Sequence, residues 1–288
     1  MAENTAGRIN GMDELPFGLH FISGLPRSGS TLLAALLRQN PRFHAGMSGP
    51  LYGLFNTLLG EMSQRNEFSV FIDDAQRQRV LTGLVRNFHQ GHAPEGGVVF
   101  DTSRAWTAKI AAIGQLFPQA KIIACVRHVP WILDSIERLV QRNMFQPSII
   151  FDYQPGGTVY SRVEGVLSAT GMVGYSYNAL KEAFFGENAG RMMLLQYETL
   201  TADPKKALDA VYQFIGEPRA THNFEAIEFD ASEYDRRAGT PGLHDVRPKV
   251  SARMAKRETV LPPDLFRRFE NDSFWRNANL NPRKVHIV

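Results

Sequence analysis

Residues 21–31 read F-I-S-G-L-P-R-S-G-S-T. Within them, residues 24–31 have the G-x4-G-x-[ST] frame of a phosphate-binding loop, with Arg27 inside it and Ser28, Ser30 and Thr31 around the second glycine. A short apolar run, residues 19–22, precedes the loop. An apolar helical stretch, residues 32–37, follows it, with Arg38 near its end and Asn40-Pro41 closing it. Strand, glycine loop and helix in that order are the context the motif requires. Gly24 and Gly29 let the backbone turn tightly, so that successive N–H groups converge on one anion. A helix starting near Gly29 adds its unpaired N–H groups and its dipole. The competing reading is a glycine-rich turn without a ligand. The coincidence of glycines, a cation and hydroxyls argues against it.

The departure from the ATPase pattern is informative. A Walker A loop has lysine after its second glycine, to reach the terminal phosphates of a nucleoside triphosphate. This chain has Ser30 there, and the nearest cation is Arg27. A guanidinium forks onto oxyanions, whereas lysine acts as a point charge. A phosphate-like ligand is expected, handled differently from ATP.

Composition sets the outer bounds. The chain has 288 residues, 43% apolar and 21% charged, ordinary values for a globular protein. One domain spanning 1–288 is expected, with 1–16 as a lead-in and 143–160 and 216–262 as irregular covering segments. A net charge of +3 is too small to indicate nucleic acid, though it suits an anionic ligand. The single cysteine, Cys125, excludes a disulfide within the chain. The first residues lack the apolar core of a signal peptide, and no run approaches the roughly 20 apolar residues of a membrane span. The expectation is a cytoplasmic protein with no nucleic-acid or membrane partner. A homodimer is left open.

Further along, apolar β-like runs at 42–47, 98–101, 121–126 and 191–196 alternate with helical patterns at 51–62, 74–88, 106–117, 130–140, 163–185 and 204–215. This alternation predicts an α/β protein, a three-layer P-loop-like fold with a central parallel sheet flanked by helices. Ligands of such sheets bind at the carboxyl ends of the strands. The glycine loop, Asp101 and Arg127 all follow apolar runs, which predicts one shared site. Ser135 lies eight residues after Arg127, in the second turn of a helix opening near Pro130, with Arg138 one turn on. Arginine and hydroxyl together would grip a second anion. No His/Cys cluster has metal-ligand spacing, so no metal is expected.

The two anion sites together resemble the sulfotransferases that use 3′-phosphoadenosine-5′-phosphosulfate (PAPS). P-R-S-G-S-T-L at 26–32 resembles the family's 5′-phosphosulfate loop, nearest to the tyrosylprotein and bacterial branches. V-R-H-V-P-W-I-L-D-S at 126–135 resembles its 3′-phosphate segment, and L-F-P-Q-A-K-I-I at 116–123 the lead-in to it. Q-Y-E-T-L-T-A-D-P at 196–204 resembles a later stretch whose tyrosine lies near the nucleotide. L-H-D-V-R-P-K-V at 243–250 is a looser match.

The resemblance implies transfer of a sulfuryl group from PAPS to a hydroxyl or amine on a small-molecule or peptide acceptor, with release of PAP. It implies that Arg27, Ser28, Gly29, Ser30 and Thr31 hold the 5′-phosphosulfate, and Arg127 and Ser135 the 3′-phosphate. Tyr197 would lie by the adenine or ribose, or else serve as a core tyrosine. Lys249 would close over the nucleotide, or else be a solvated lysine. Arg27 would also stabilise the leaving phosphate.

The base is the open point. Related branches use a glutamate after the second strand, and here A-G-M-S-G-P at 45–50 offers Met47 and Ser48 instead. The cytosolic branch uses a histidine with no assignable counterpart. The candidates are Asp101, expected at a strand end facing the site, and His44. Arg104 would pair with Asp101 or touch the acceptor. Acceptor contacts would come from 46–70, 143–175 and 230–250, with Phe55, Phe145 and Tyr153 as apolar candidates. Two alternatives remain: a P-loop kinase or NTPase, with V-V-F-D at 98–101 as its magnesium-binding strand, and a PAP-binding protein without catalysis.

Overall fold

The computed structural model describes residues 15–64, 66–92, 94, 96–146, 157–251 and 258–288. Its first half runs β1 (Gly18–Gly24), α1 (Ser30–Leu37), β2 (Phe43–Ala45), α2 (Leu51–Glu61), α3 (Asp74–His89), β3 (Val98–Thr102), α4 (Ile110–Leu116), β4 (Ile122–Val126) and α5 (Val129–Arg142). The second half runs α6 (Val159–Leu167), α7 (Met172–Phe185), β5 (Met192–Gln196), α8 (Tyr197–Ala202), α9 (Pro204–Ile215), α10 (Ser232–Arg237), α11 (Pro263–Arg268) and β6 (His286–Ile287).

The strands form one sheet in the order β2-β3-β1-β4-β5-β6, and all five pairings are parallel. A parallel sheet must be covered on both faces. Alternating side chains divide β4 accordingly. Ile122, Ala124 and Val126 join one apolar cluster with α2–α7, while Ile123 and Cys125 join another with α1, α8 and α9. Each fully buried aliphatic side chain contributes about 1.5–3 kcal/mol. Burial pushes the Cys125 thiol up to about 12, so it is a packing group rather than a nucleophile.

The chain leaves β1 toward β2 on one side, then crosses from β3 to β4 on the other. That reversal opens a crevice at the carboxyl end of β1, the place where such sheets take ligands.

Local signals explain several boundaries. Asp73 caps α3 with a capping box: its side chain accepts from Gln76 N, and the Gln76 side chain accepts from Asp73 N. Asp203 accepts from Lys206 N at the start of α9.

Three expectations are corrected. The helix expected over 163–185 is two helices, α6 and α7. Gly171 and Gly174 sit so close to the end of α6 that an added Cβ would lie 2.2 Å from Gly165 O and 2.0 Å from Ser168 O, respectively. Residues 106–117 begin as a 3-10 turn, Trp106–Lys109, before α4. The tail, where no strand was expected, adds β6 to the sheet edge, with Val288 N donating to Leu194 O at 2.9 Å. Of the expected irregular segments, residues 1–14, 147–156 and 252–257 lie outside the described residues, and Tyr153 with them.

Candidate active site

Gly24 ends β1 at φ 103°, and any Cβ there would lie 2.2 Å from Cys125 O on the neighbouring strand. Only glycine fits. The chain then turns through Pro26 and Arg27, whose φ of 58° is rare for a non-glycine residue. Gly29, at φ 91°, caps α1 without a side-chain hydrogen bond. The first-turn N–H groups of α1 are therefore not taken by a capping side chain. A Cβ on Gly29 would lie 2.9 Å from the Tyr197 ring, so the second glycine lets the loop pack directly on the start of α8.

The second anion segment meets the first here. Arg127 follows β4 by one residue, and its Nη1 donates to Arg27 O at 3.2 Å. Its guanidinium lies 4.3 Å from the centre of the Tyr197 ring, a cation–π contact. Arg27 Nε donates to Ser135 Oγ on α5 at 3.1 Å, and Arg27 Nη1 donates to Leu243 O. Burial first, and the nearby Arg127 charge next, push the Arg27 guanidinium down to about 10, with Asp235 and Asp245 opposing. Two guanidinium groups held together at the ends of adjacent strands repel one another, and an anion between them relieves that repulsion.

These residues line a cavity of about 1360 Å³ that runs from the loop to the segment 242–251. Arg27, Gly29, Ser30, Thr31, Arg127, Ser135, Tyr197 and Lys249 all line it. Ser28 is fully buried, with its hydroxyl turned to Pro26 O at 3.4 Å. Lys249 stands at the exposed side, in an ion pair with Glu225. Arg104 and Arg138 add further positive charge to the lining. Arg138 is tied to buried Asp134 at 3.1 Å. Among the described residues, no group of three or more His, Cys, Asp or Glu side chains is arranged to hold a metal.

Both candidate bases fall outside this cavity. Asp101 is inside β3 rather than beyond it, paired in register with Phe21. Its side chain turns to the apolar face, where Oδ1 accepts from Trp106 Nε1 at 2.6 Å and Oδ2 meets His89 Nε2 at 3.1 Å. The expectation that Asp101 faces the site is therefore corrected. The same bonds occupy the carboxylate on which a magnesium-dependent kinase reading rested. Arg104 pairs with the cavity, not with Asp101. His44, on β2, stacks on His92 with ring centres 4.8 Å apart and planes at 8°. It is absent from the cavity lining. Phe55 is also withdrawn from the acceptor contacts, being fully buried against Trp106. Phe145 is almost fully exposed.

The residues that sequence reasoning missed lie in one covering segment. Tyr234, Leu243, His244 and Asp245 line the cavity opposite the loop. The expected acceptor range 230–250 and the loose match at 243–250 took them in without singling them out, and neither gave a sign that Asp235 and His244 meet.

A family model described as "Sulfotransferase family" matches residues 20–221, more than half of the chain. The chain belongs to the sulfotransferase family. Among solved structures, the sulfotransferase domain from the curacin biosynthetic pathway is similar, at 18% identity and a TM-score of 0.50, with 85% of this chain and 88% of that one covered. The sulfotransferase domain of the Synechococcus PCC 7002 olefin synthase has 18% identity over 89% of this chain and 94% of that one, with a TM-score of 0.45. A sulfotransferase from Alicyclobacillus acidocaldarius has 15% identity over 78% and 90%, with a TM-score of 0.43. No curated protein matches the chain. The fold of this sulfotransferase is thus that of an α/β protein with a central parallel sheet.

Proposed function

We propose that this sulfotransferase moves a sulfuryl group from PAPS to a hydroxyl acceptor and releases PAP. The observation that carries this reading is the convergence of Arg27, Arg127 and Ser135, from the ends of adjacent strands and the following helix, on one cavity with the glycine loop. The donor set fits a nucleotide with phosphates at two positions: loop N–H groups and Arg27 for one, Arg127 with Ser135 for the other. When bound, PAPS supplies an activated sulfuryl group and a phosphate leaving group.

The protein's part is mostly position and charge. The loop N–H groups and Arg27 face the growing negative charge of the leaving phosphate. The Tyr197 ring holds the Arg127 guanidinium by a cation–π contact, and both residues line the cavity. Burial strengthens each of these contacts, because the local dielectric is low.

Thermal unfolding with added nucleotide tests the reading. PAP and PAPS should raise Tm without added metal, since a ligand of the native state stabilises by mass action. ATP with magnesium should do far less. Equal stabilisation by ATP with magnesium and by PAP would overturn the assignment.

A further inference from the structure

The covering segment holds a pair that none of the roles above uses. His244 Nδ1 lies 2.6 Å from Asp235 Oδ1, and His244 N donates to Asp235 Oδ2 at 2.7 Å. One carboxylate therefore grips both the ring and the backbone of His244. Asp235 is itself 1% exposed, in the first turn of the short helix α10. Thr240 N donates to Asp235 O at 2.9 Å, which closes the turn between the two partners. The Tyr234 ring packs edge-on against the imidazole at 5.5 Å.

With Nδ1 fixed as the donor to a buried carboxylate, Nε2 carries the lone pair. Among the described residues no side chain or carbonyl takes Nε2. The His244 ring lines the cavity, next to Leu243, whose carbonyl accepts from Arg27. The imidazole thus stands one residue from the contact that ties this segment to the phosphate loop.

A carboxylate that orients a histidine from behind, fixes its tautomer and stabilises its charged form is the arrangement a general base requires.

We propose that His244 is the general base of the transfer, positioned by Asp235 and delivered by the covering segment rather than by a strand end. The proposal rests on the sulfotransferase reading. Nε2 takes the acceptor's hydroxyl proton as the acceptor oxygen bonds to sulfur. The bond from sulfur to the bridging phosphate oxygen breaks, its electron pair leaves with PAP, and the imidazolium later returns its proton to water.

The test separates base from brace. In His244→Asn the amide nitrogen can still donate to Asp235, while the basic Nε2 is gone. Three measurements are made on the full chain: PAP binding by thermal shift, and PAPS turnover with hexanol and with para-nitrophenol. Hexanol must be deprotonated during attack, whereas para-nitrophenol is an acidic phenol already ionised in substantial part at neutral pH. The expected result is unchanged PAP binding, a loss of about 10²–10⁴-fold with hexanol, and a much smaller loss with para-nitrophenol. Added imidazole should restore part of the hexanol rate to His244→Ala.

Asp235→Asn should lower turnover with hexanol while leaving PAP binding unchanged, because the imidazole loses the carboxylate that fixes its tautomer. Asp235→Glu should restore part of that turnover. Wild-type turnover in folded His244→Asn would overturn the proposal. So would equal losses with both acceptors, or hexanol turnover that Asp235→Asn leaves in place. Wild-type protein that binds PAP but transfers to neither acceptor would remove this chemistry while leaving the nucleotide reading intact. Failure to bind PAP at all would remove the nucleotide reading itself.

Discussion

The ends of β3 and β4 invite the same reading and behave in opposite ways. Each is an apolar strand with a charged residue near its carboxyl end, in the same parallel sheet. At β4 the charge is Arg127, one residue past the strand, where it reaches the loop and Tyr197. At β3 the charge is Asp101, still inside the ladder and buried between Trp106 and His89. A displacement of two residues relative to the strand end separates a group that lines the cavity from one that closes a core. Past the last ladder pairing, a side chain is free of the alternating faces. Inside it, the pleat commits the side chain to one face.

The largest expected effect is at Arg27, which belongs to the open region. Arg27→Ala should lower PAPS turnover about 10²–10³-fold, the usual cost of losing a preorganised donor to developing charge. It should also weaken PAP binding, because its target is charged in the ground state. Unchanged binding in the folded variant would mean that the loop works without its guanidinium.

Arg127→Ala comes next. Removing a charge-assisted bond of about 1.5–3 kcal/mol should weaken PAP roughly 10–150-fold. Adenosine 5′-phosphosulfate, which lacks the 3′-phosphate, should bind almost as before. Equal losses for both nucleotides would make Arg127 a packing residue, and the comparison between the two strand ends would collapse.

At the closed end the expected signature is stability without function. Asp101→Ala leaves the buried Trp106 N–H without an acceptor and should cost about 1–3 kcal/mol in urea unfolding. Asp101→Asn retains one oxygen for that N–H and should cost less. Both should keep wild-type PAP affinity, and Asp101→Asn wild-type turnover. A hundredfold slower but stably folded Asp101→Asn protein would return Asp101 to the chemistry.

The smallest effect concerns pH. Burial first, then His92, His89 and Arg38, hold His44 below its ordinary 6.5, with Asp101 opposing. The folded state thus disfavours the proton that the unfolded state accepts. Stability from this group is complete above about pH 6.5 and is lost as pH falls from there toward the depressed folded value. His44→Gln should therefore flatten the fall in urea stability between pH 8 and pH 5. Identical slopes for the two proteins would show that the histidine cluster is not strained by protonation.

The sheet and its glycine loop were legible because each depends on neighbours in sequence. Gly24 and Gly29 sit where φ is positive, and the unbroken apolar run at 122–126 is that of a strand buried on both faces. The Arg127–Ser135 spacing carried through for the same reason, since one short strand-to-helix connection fixes it. Asp101 misled because its burial is decided by Trp106 and by His89, twelve residues earlier, whose side chains close over it. The Asp235–His244 pair was invisible because eight residues, from the end of α10 into irregular chain, separate its members, and only the turn closed by Thr240 N brings them together. The single helix expected over 163–185 failed on Gly171 and Gly174, whose close approach to α6 leaves no mark in apolar spacing.

Arg27 has a second consequence, in time rather than in affinity. A guanidinium carries five N–H donors in a rigid fork, and Arg27 divides them between Ser135, the Leu243 carbonyl and the phosphate loop's cavity. The covering segment and an anion in the loop therefore share one anchor. Linkage makes that dependence mutual: a ligand that tightens the fork tightens the cover, and a loosened cover loosens the ligand to the same degree. Release of an anion from the loop is then expected to be coupled to the parting of Arg27 from Leu243, a cover motion of the kind that sets turnover in many enzymes.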